Sequence, residues 1–168
     1  SDKSEWVDCR MSGNIDSTPA WSLGATFNRA IDNVVFYKNI YAFKTFTTYS
    51  GTMRNAIFTN NTKVVSRQAS SGVLNLIDCT EITASDMDQT GGPINQYRSI
   101  NLVTTDSAGA NLAGVVVRVN NNVDATQSSI YTSDGSGVVT EILAKRSYVA
   151  NGSSILSNYA PFRMRLRK

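Results

Sequence analysis

The sequence predicts an all-β protein built as a short right-handed parallel β-helix followed by a small antiparallel β-sandwich. Three observations carry that expectation. A short apolar phrase recurs at intervals of about 20 residues through the first half, and no window there has the 3.6-residue period of an amphipathic helix. The texture breaks at "DQTGGPINQ" (Asp88 to Gln96). Beyond the break, apolar and polar residues alternate along several runs separated by glycine-bearing turns.

The recurring phrase reads "EWVDCRM", "DNVVFYKNI", "RNAIFTNNT" and "LNLIDCTEI", with Val7, Phe36, Phe58 and Ile77 set in one slot at spacings of 29, 22 and 19 residues. Such self-similarity marks a solenoid, in which each unit buries its apolar face by stacking on the next. Leucine-rich repeats are excluded because the expected leucines are Val, Phe and Ile. The reading is therefore about four coils of three short strands each, with Val34/Phe36, Ala56/Phe58 and Ile77/Cys79 inside. The longest step has room for a loop at "GNIDSTPAWSLG" (Gly13 to Gly24). Cys9 and Cys79 fall in equivalent slots three coils apart, about 14 Å at the usual strand spacing. A disulfide needs Cα atoms within about 7 Å, so two buried, unjoined thiols are expected.

The predicted domains are residues 1–90 (β-helix), a linker at 91–97 around Gly91-Gly92-Pro93, and residues 98–168 (sandwich). In the second part Ile100, Leu102 and Thr104 alternate with polar neighbours, as do Val115, Val117 and Val119. "DSAGANLAG" and "SDGSG" supply turns, and the layout suggests about seven strands.

Charge is unevenly placed. Residues 1–95 hold eight Lys/Arg against nine Asp/Glu, whereas residues 96–168 hold eight against four. Four of the latter cations, Arg163, Arg165, Arg167 and Lys168, lie in the last six residues. In "FRMRLRK" the arginines alternate with Phe162, Met164 and Leu166, the pattern of a half-buried strand with a charged outer side. Arginine guards edge strands against aggregation, so Arg163, Arg165 and Arg167 are read as an assembly strand and not as a nucleic-acid reader, which would spread its cations over a surface. No apolar run approaches the ~20 residues that cross a membrane as a helix, so no membrane insertion is expected. The chain also lacks an initiator Met and a leader, and so reads as a fragment or processed product.

The chemistry is limited by what the chain lacks. It has no histidine, which removes Ser-His-Asp and Cys-His arrangements and the commonest neutral-pH base. Two distant cysteines make no zinc site, and "DGSG" lacks the lysine and helix of a phosphate loop. Asp8 and Asp78 share an outward slot but would stand about 14 Å apart, beyond the ~9.5 Å limit for paired glycosidase carboxylates. No catalytic residue, cofactor or metal is therefore expected. A binding role is easier to argue, because sugars stack on exposed aromatics; Trp6, Trp21, Tyr37, Tyr41 and Tyr49 are the candidate glycan or partner contacts. Tyr37 stands out because it alternates with the inward Phe36.

Residues 4–90, through "NVVFYKN" and the opening "WVDCRMSGN", resemble the β-helix proteins of tailed-bacteriophage virions. The pattern Asp106-x-x-Gly109-x-x-Leu112-Ala113-Gly114-Val115-x-Val117, then Thr132-x-Asp134-Gly135-x-Gly137-Val138, resembles transthyretin-like, carboxypeptidase-regulatory-like modules. That second resemblance implies an Ig-like spacer without catalytic residues, in which Asp106 and Asp134 form turns instead of binding calcium. Together the resemblances imply a non-enzymatic virion structural protein, part of a tail fibre or spike. They also imply other virion proteins as partners, a homo-oligomer with a trimer favoured, and contact with a host-surface glycan. The rival readings are a capsid-surface decoration protein and a fragment of a β-helix polysaccharide-degrading enzyme. A four-coil stack has two open ends and needs something to cover them, which also points to assembly.

Overall fold

The computed structural model describes residues 6–7, 10–13, 21–23, 30–46, 50–68, 72–121, 128–149, 156–158 and 162–168. Among them the protein is all-β, with one 3₁₀ turn at Ala84–Asp86. The chain falls into two compact units, Ser1–Gln96 with Tyr148–Ser157, and Tyr97–Ser147 with Asn158–Lys168.

The first unit opens with β1 (Trp6–Val7), β2 (Arg10–Ser12), β3 (Trp21–Leu23), β4 (Ala30–Asp32), β5 (Val35–Tyr37) and β6 (Tyr41–Phe46). It continues with β7 (Gly51–Arg54), β8 (Ile57–Thr59), β9 (Lys63–Gln68), β10 (Leu74–Ile77) and β11 (Met87–Thr90). Each strand pairs in parallel with the one three places further on: β1 with β4, β4 with β7, β7 with β10, β2 with β5, β5 with β8, β3 with β6 and β6 with β9. In the fourth turn the middle strand is missing, so β11 is the parallel partner of β9. These parallel pairings lie in three sheets that the chain visits in rotation, and the sheet of β1, β4, β7 and β10 continues beyond β10 into a later strand of the chain.

Side chains stack in columns along these registers. Ile31, Met53 and Leu76 form one column, Met11, Phe36 and Phe58 a second, and Phe43, Val65 and Met87 a third. All but the half-buried Met11 are buried, and they belong to one apolar cluster. Phe36 and Phe58 stack face to face, with ring centroids 5.4 Å apart and planes at 23°. Burying surfaces of this size is what stabilises so short a stack, at about 25 cal/mol per Å² of apolar area.

The corners explain why the phrase repeats. Asn33, Asn55 and Asp78 all have left-handed backbone, φ 51°, 51° and 53°, and each sits between the first and second strand position of its turn. Lys38 and Asn60 do the same after the second strand, at φ 55° and 56°. Asn and Asp tolerate this conformation better than other side-chain-bearing residues. Behind the second corner an asparagine pair links the turns: Asn39 Nδ2 donates to Asn61 Oδ1 (3.1 Å) and to the Met11 carbonyl (3.2 Å), while Asn61 Nδ2 donates to the Phe36 carbonyl (3.0 Å). Asn39 is only 2% exposed, so these bonds satisfy a side chain that water cannot reach.

The corners also correct the expected register. Phe36 does lie opposite Phe58, but Val7 lies opposite Asp32 and Ile77 opposite Arg54. Met11 is the residue in the Phe36 column. Matching on apolar residues shifted the first and last copies; the left-handed Asx positions mark the repeat, at steps of 22 and 23 residues. Asp78 is accordingly a corner residue following Asn33 and Asn55, not an outward neighbour of Tyr37 and Thr59. Asp8 and Cys9 lie outside the described residues. Cys79 carries a buried thiol, with Sγ 3.4 Å from the Met53 carbonyl.

Gly91-Gly92-Pro93, expected as a linker, is tied into the first unit. Gly91 N–H donates to the Arg67 carbonyl (2.7 Å), and Leu74 N–H donates to the Pro93 carbonyl (3.0 Å). Arg67 is fully buried and its guanidinium donates to the carbonyls of Pro93 (2.9 Å) and Gly72 (2.8 Å). Ile94 then joins the apolar cluster.

The remaining strands are β12 (Ile94–Val103), β13 (Val116–Asn121), β14 (Ser128–Thr132), β15 (Val138–Val149), β16 (Leu156–Asn158) and β17 (Phe162–Arg167). In the second unit β12 lies beside β15, and β13 is the antiparallel centre of a separate sheet ordered β14-β13-β17. Val115, Val117, Val119, Val139 and Ile142 form its buried cluster, with Ile100, Leu102, Leu112, Tyr131 and Phe162 against it. The two aspartates expected to form turns do so by the same device. Asp106 Oδ1 accepts from Ala108 and Ala110 N–H (both 2.9 Å), and Asp134 Oδ1 from Ser136 (2.8 Å) and Val138 (2.9 Å). Gly137, at φ 74°, packs against this corner so closely that a Cβ would stand 2.6 Å from the Thr104 carbonyl oxygen.

Candidate functional site

The strongest site is the strand β17 and the sheet face beside it. Antiparallel pairing sets Arg163, Arg165 and Arg167 opposite Asn120, Arg118 and Val116. Directly opposed residues share a face about 4.5–5.5 Å apart, so four guanidiniums crowd one surface. All four arginines and Lys168 are exposed. The three strands of this sheet contain no acidic residue. Arg118 and Arg165, being like charges directly opposed, repel each other, which makes the face a ready acceptor of anionic groups. A cleft of about 690 Å³ runs along it, lined by Gly114, Val116, Arg118, Arg165, Leu166, Arg167 and Lys168.

On its other side β17 is only partly covered. Phe162 packs into the cluster of the second unit, but Met164 is 40% exposed and Leu166 54%. The expected half-buried strand thus has its arginines outward as the alternation implies, while its apolar row is left open. The reason is position: β17 is the terminal strand of its sheet, with β13 as its one paired neighbour among the described residues.

Of the expected aromatic contacts, Tyr37 and Tyr41 are described with their side chains, and both are engaged within the fold. Tyr37, half-buried on β5, has the Arg10 guanidinium 4.9 Å and the Lys38 ammonium 5.1 Å from its ring centroid. Those cations occupy the space a stacked sugar would need. Tyr41 is engaged elsewhere: its hydroxyl donates to Asp88 Oδ2 (3.2 Å), and that bond, with the carboxylate's charge, raises the phenol's pKa above its ordinary value. Trp6 and Trp21 lie in β1 and β3 opposite Ile31 and Phe43, but their side chains fall outside the described residues, as does Tyr49. Among the described residues no group of three or more His, Cys, Asp or Glu side chains is arranged to hold a metal ion.

Two features escaped the sequence reading. Arg118 was legible as the polar break in "VVVRVNNN", but only strand pairing shows that it faces Arg165. Arg67 sits on a strand whose Val64, Val65 and Ser66 are also buried, and nothing in "KVVSRQ" marks it as interior. Compared with known protein families, curated proteins and solved structures, the chain matches none.

Proposed function

We propose that the chain is a non-enzymatic structural element of a tailed-bacteriophage virion, part of a tail fibre, spike or similar appendage. In this reading the first unit is a right-handed parallel β-helix serving as a rigid shaft, and the second is an Ig-like sandwich of the transthyretin-like kind serving as a docking module. The observation that carries the proposal is the parallel pairing of each strand from β1 to β7 with the one three places on, with the same left-handed corner at Asn33, Asn55 and Asp78. Such a stack satisfies its backbone groups between turns, so it resists bending and local opening. Among the described residues β1, β2 and β3 are the terminal strands of their sheets, which supports a partner at that end and a homo-oligomer, a trimer first. The engagement of Tyr37 and Tyr41 within the chain weighs for protein contacts over a glycan platform.

Antibody raised against the chain and applied to intact phage particles that encode it tests the proposal. Label on tail appendages is the expected result. Label confined to the capsid shell would transfer the chain to the decoration class, and particles that carry none of the protein would refute a virion role.

A further inference from the structure

We propose that β17 is a docking strand that takes, along its open edge, an extended segment of another protein in which acidic and apolar residues alternate. The inference deepens the docking role assigned above to the second unit, and names the chemistry of the partner.

Three independent properties of one strand converge on that occupant. Its backbone edge away from β13 has no partner among the described residues, and an unpaired edge is a template for another strand. One side of it carries Arg163, Arg165 and Arg167, with Arg118 opposite Arg165 and no acid on the sheet. The other side carries Met164 and Leu166, 40% and 54% exposed. An added strand has the same two-residue alternation, so its acidic side chains would lie beside the arginines while its apolar ones cover Met164 and Leu166.

Other occupants meet only part of this surface. A second copy of β17 would set arginine against arginine, a repulsive arrangement. A nucleic acid or acidic polysaccharide could neutralise the guanidiniums but would leave Met164 and Leu166 uncovered. Among the described residues the arginine face also lacks the aromatic side chains on which bases or sugars stack: its uncharged neighbours are Val116, Asn120, Ser128, Ile130 and Thr132.

The test uses the whole 168-residue chain and a dye-labelled synthetic peptide alternating glutamate and valine, followed by fluorescence anisotropy. The controls are a peptide of the same composition with its residues in blocks, double-stranded DNA and heparin. The alternating peptide is expected to bind at least about tenfold more tightly than the block peptide. Arg165→Glu should weaken that binding at least about tenfold, and Leu166→Asp should weaken the glutamate–valine complex. Because both positions are exposed, unchanged circular dichroism and melting establish that the variants fold. Equal binding of alternating and block peptides, or tighter binding of DNA or heparin, would overturn the proposal in favour of a general polyanion surface. Dimerisation of the chain that Leu166→Asp abolishes would overturn it in favour of a second copy. Binding to the peptide does not depend on where the protein resides, so this result and the antibody result fail separately.

Discussion

The two units place their apolar residues differently. In the first, Ile31, Met53 and Leu76, or Phe36 and Phe58, recur at the same point of successive turns and stack one on the next. In the second, Val117 and Val119 are buried on the central strand while Met164 and Leu166, beside them on the terminal strand, stay open. A parallel stack hides each rung under its neighbour; an antiparallel sheet that stops at β17 leaves its last row for something else to cover. The lesson is that exposure of an apolar residue here depends on its face and its place in the sheet order and not on its own hydrophobicity: Val116, on the central strand but on the arginine face, is 39% exposed.

The largest effect that could break the comparison is at a rung. Phe58→Ala removes a ring stacked on Phe36 and should cost about 3–5 kcal/mol in chemical unfolding; a loss below about 1 kcal/mol would mean that this column is not core. Next comes the tightest corner of the second unit. Gly137→Ala would combine a left-handed φ with a Cβ against the Thr104 carbonyl, and a loss of about 2–3 kcal/mol is expected in a thermal melt.

Smaller effects sharpen the account of the repeat. Asn55→Ala should cost about 1 kcal/mol, because alanine tolerates φ 51° less well and the bond from Asn55 Nδ2 to Asp32 Oδ1 (2.9 Å) is lost. Asn55→Gly should be nearly neutral in the same assay; equal losses for both would assign the effect to the hydrogen bond and not to the corner. Smallest of all, Arg165→Ala should change stability by less than about 0.5 kcal/mol, since the side chain is exposed and faces Arg118.

Much of this fold was legible in the sequence. The Phe36–Phe58 register, the turn aspartates Asp106 and Asp134, and the outward arginines of β17 all follow from local rules of periodicity and turn chemistry. What was missed needed long-range pairing. Val7 and Ile77 were misplaced because apolar residues are interchangeable within a column, whereas Asx residues at left-handed corners are not. Gly91-Gly92-Pro93 has the composition of a linker, yet its carbonyls and amides are taken up by Arg67 and Leu74. The basic face was half visible, since Arg163, Arg165 and Arg167 alternate within one run while Arg118, on a distant strand, joins them by pairing with Arg165.

Amide hydrogen exchange, read residue by residue on the intact chain, tests the contrast most directly. The account predicts that amides within Val35–Tyr37, on a strand paired on both sides, exchange only through global unfolding, while alternate amides of Arg163–Arg167, those on the side away from β13, exchange nearly as fast as in an unfolded peptide. Strong protection of every β17 amide would mean that the edge is already covered. Exchange of the Phe36 amide as fast as those of the open edge would contradict the stacked body itself.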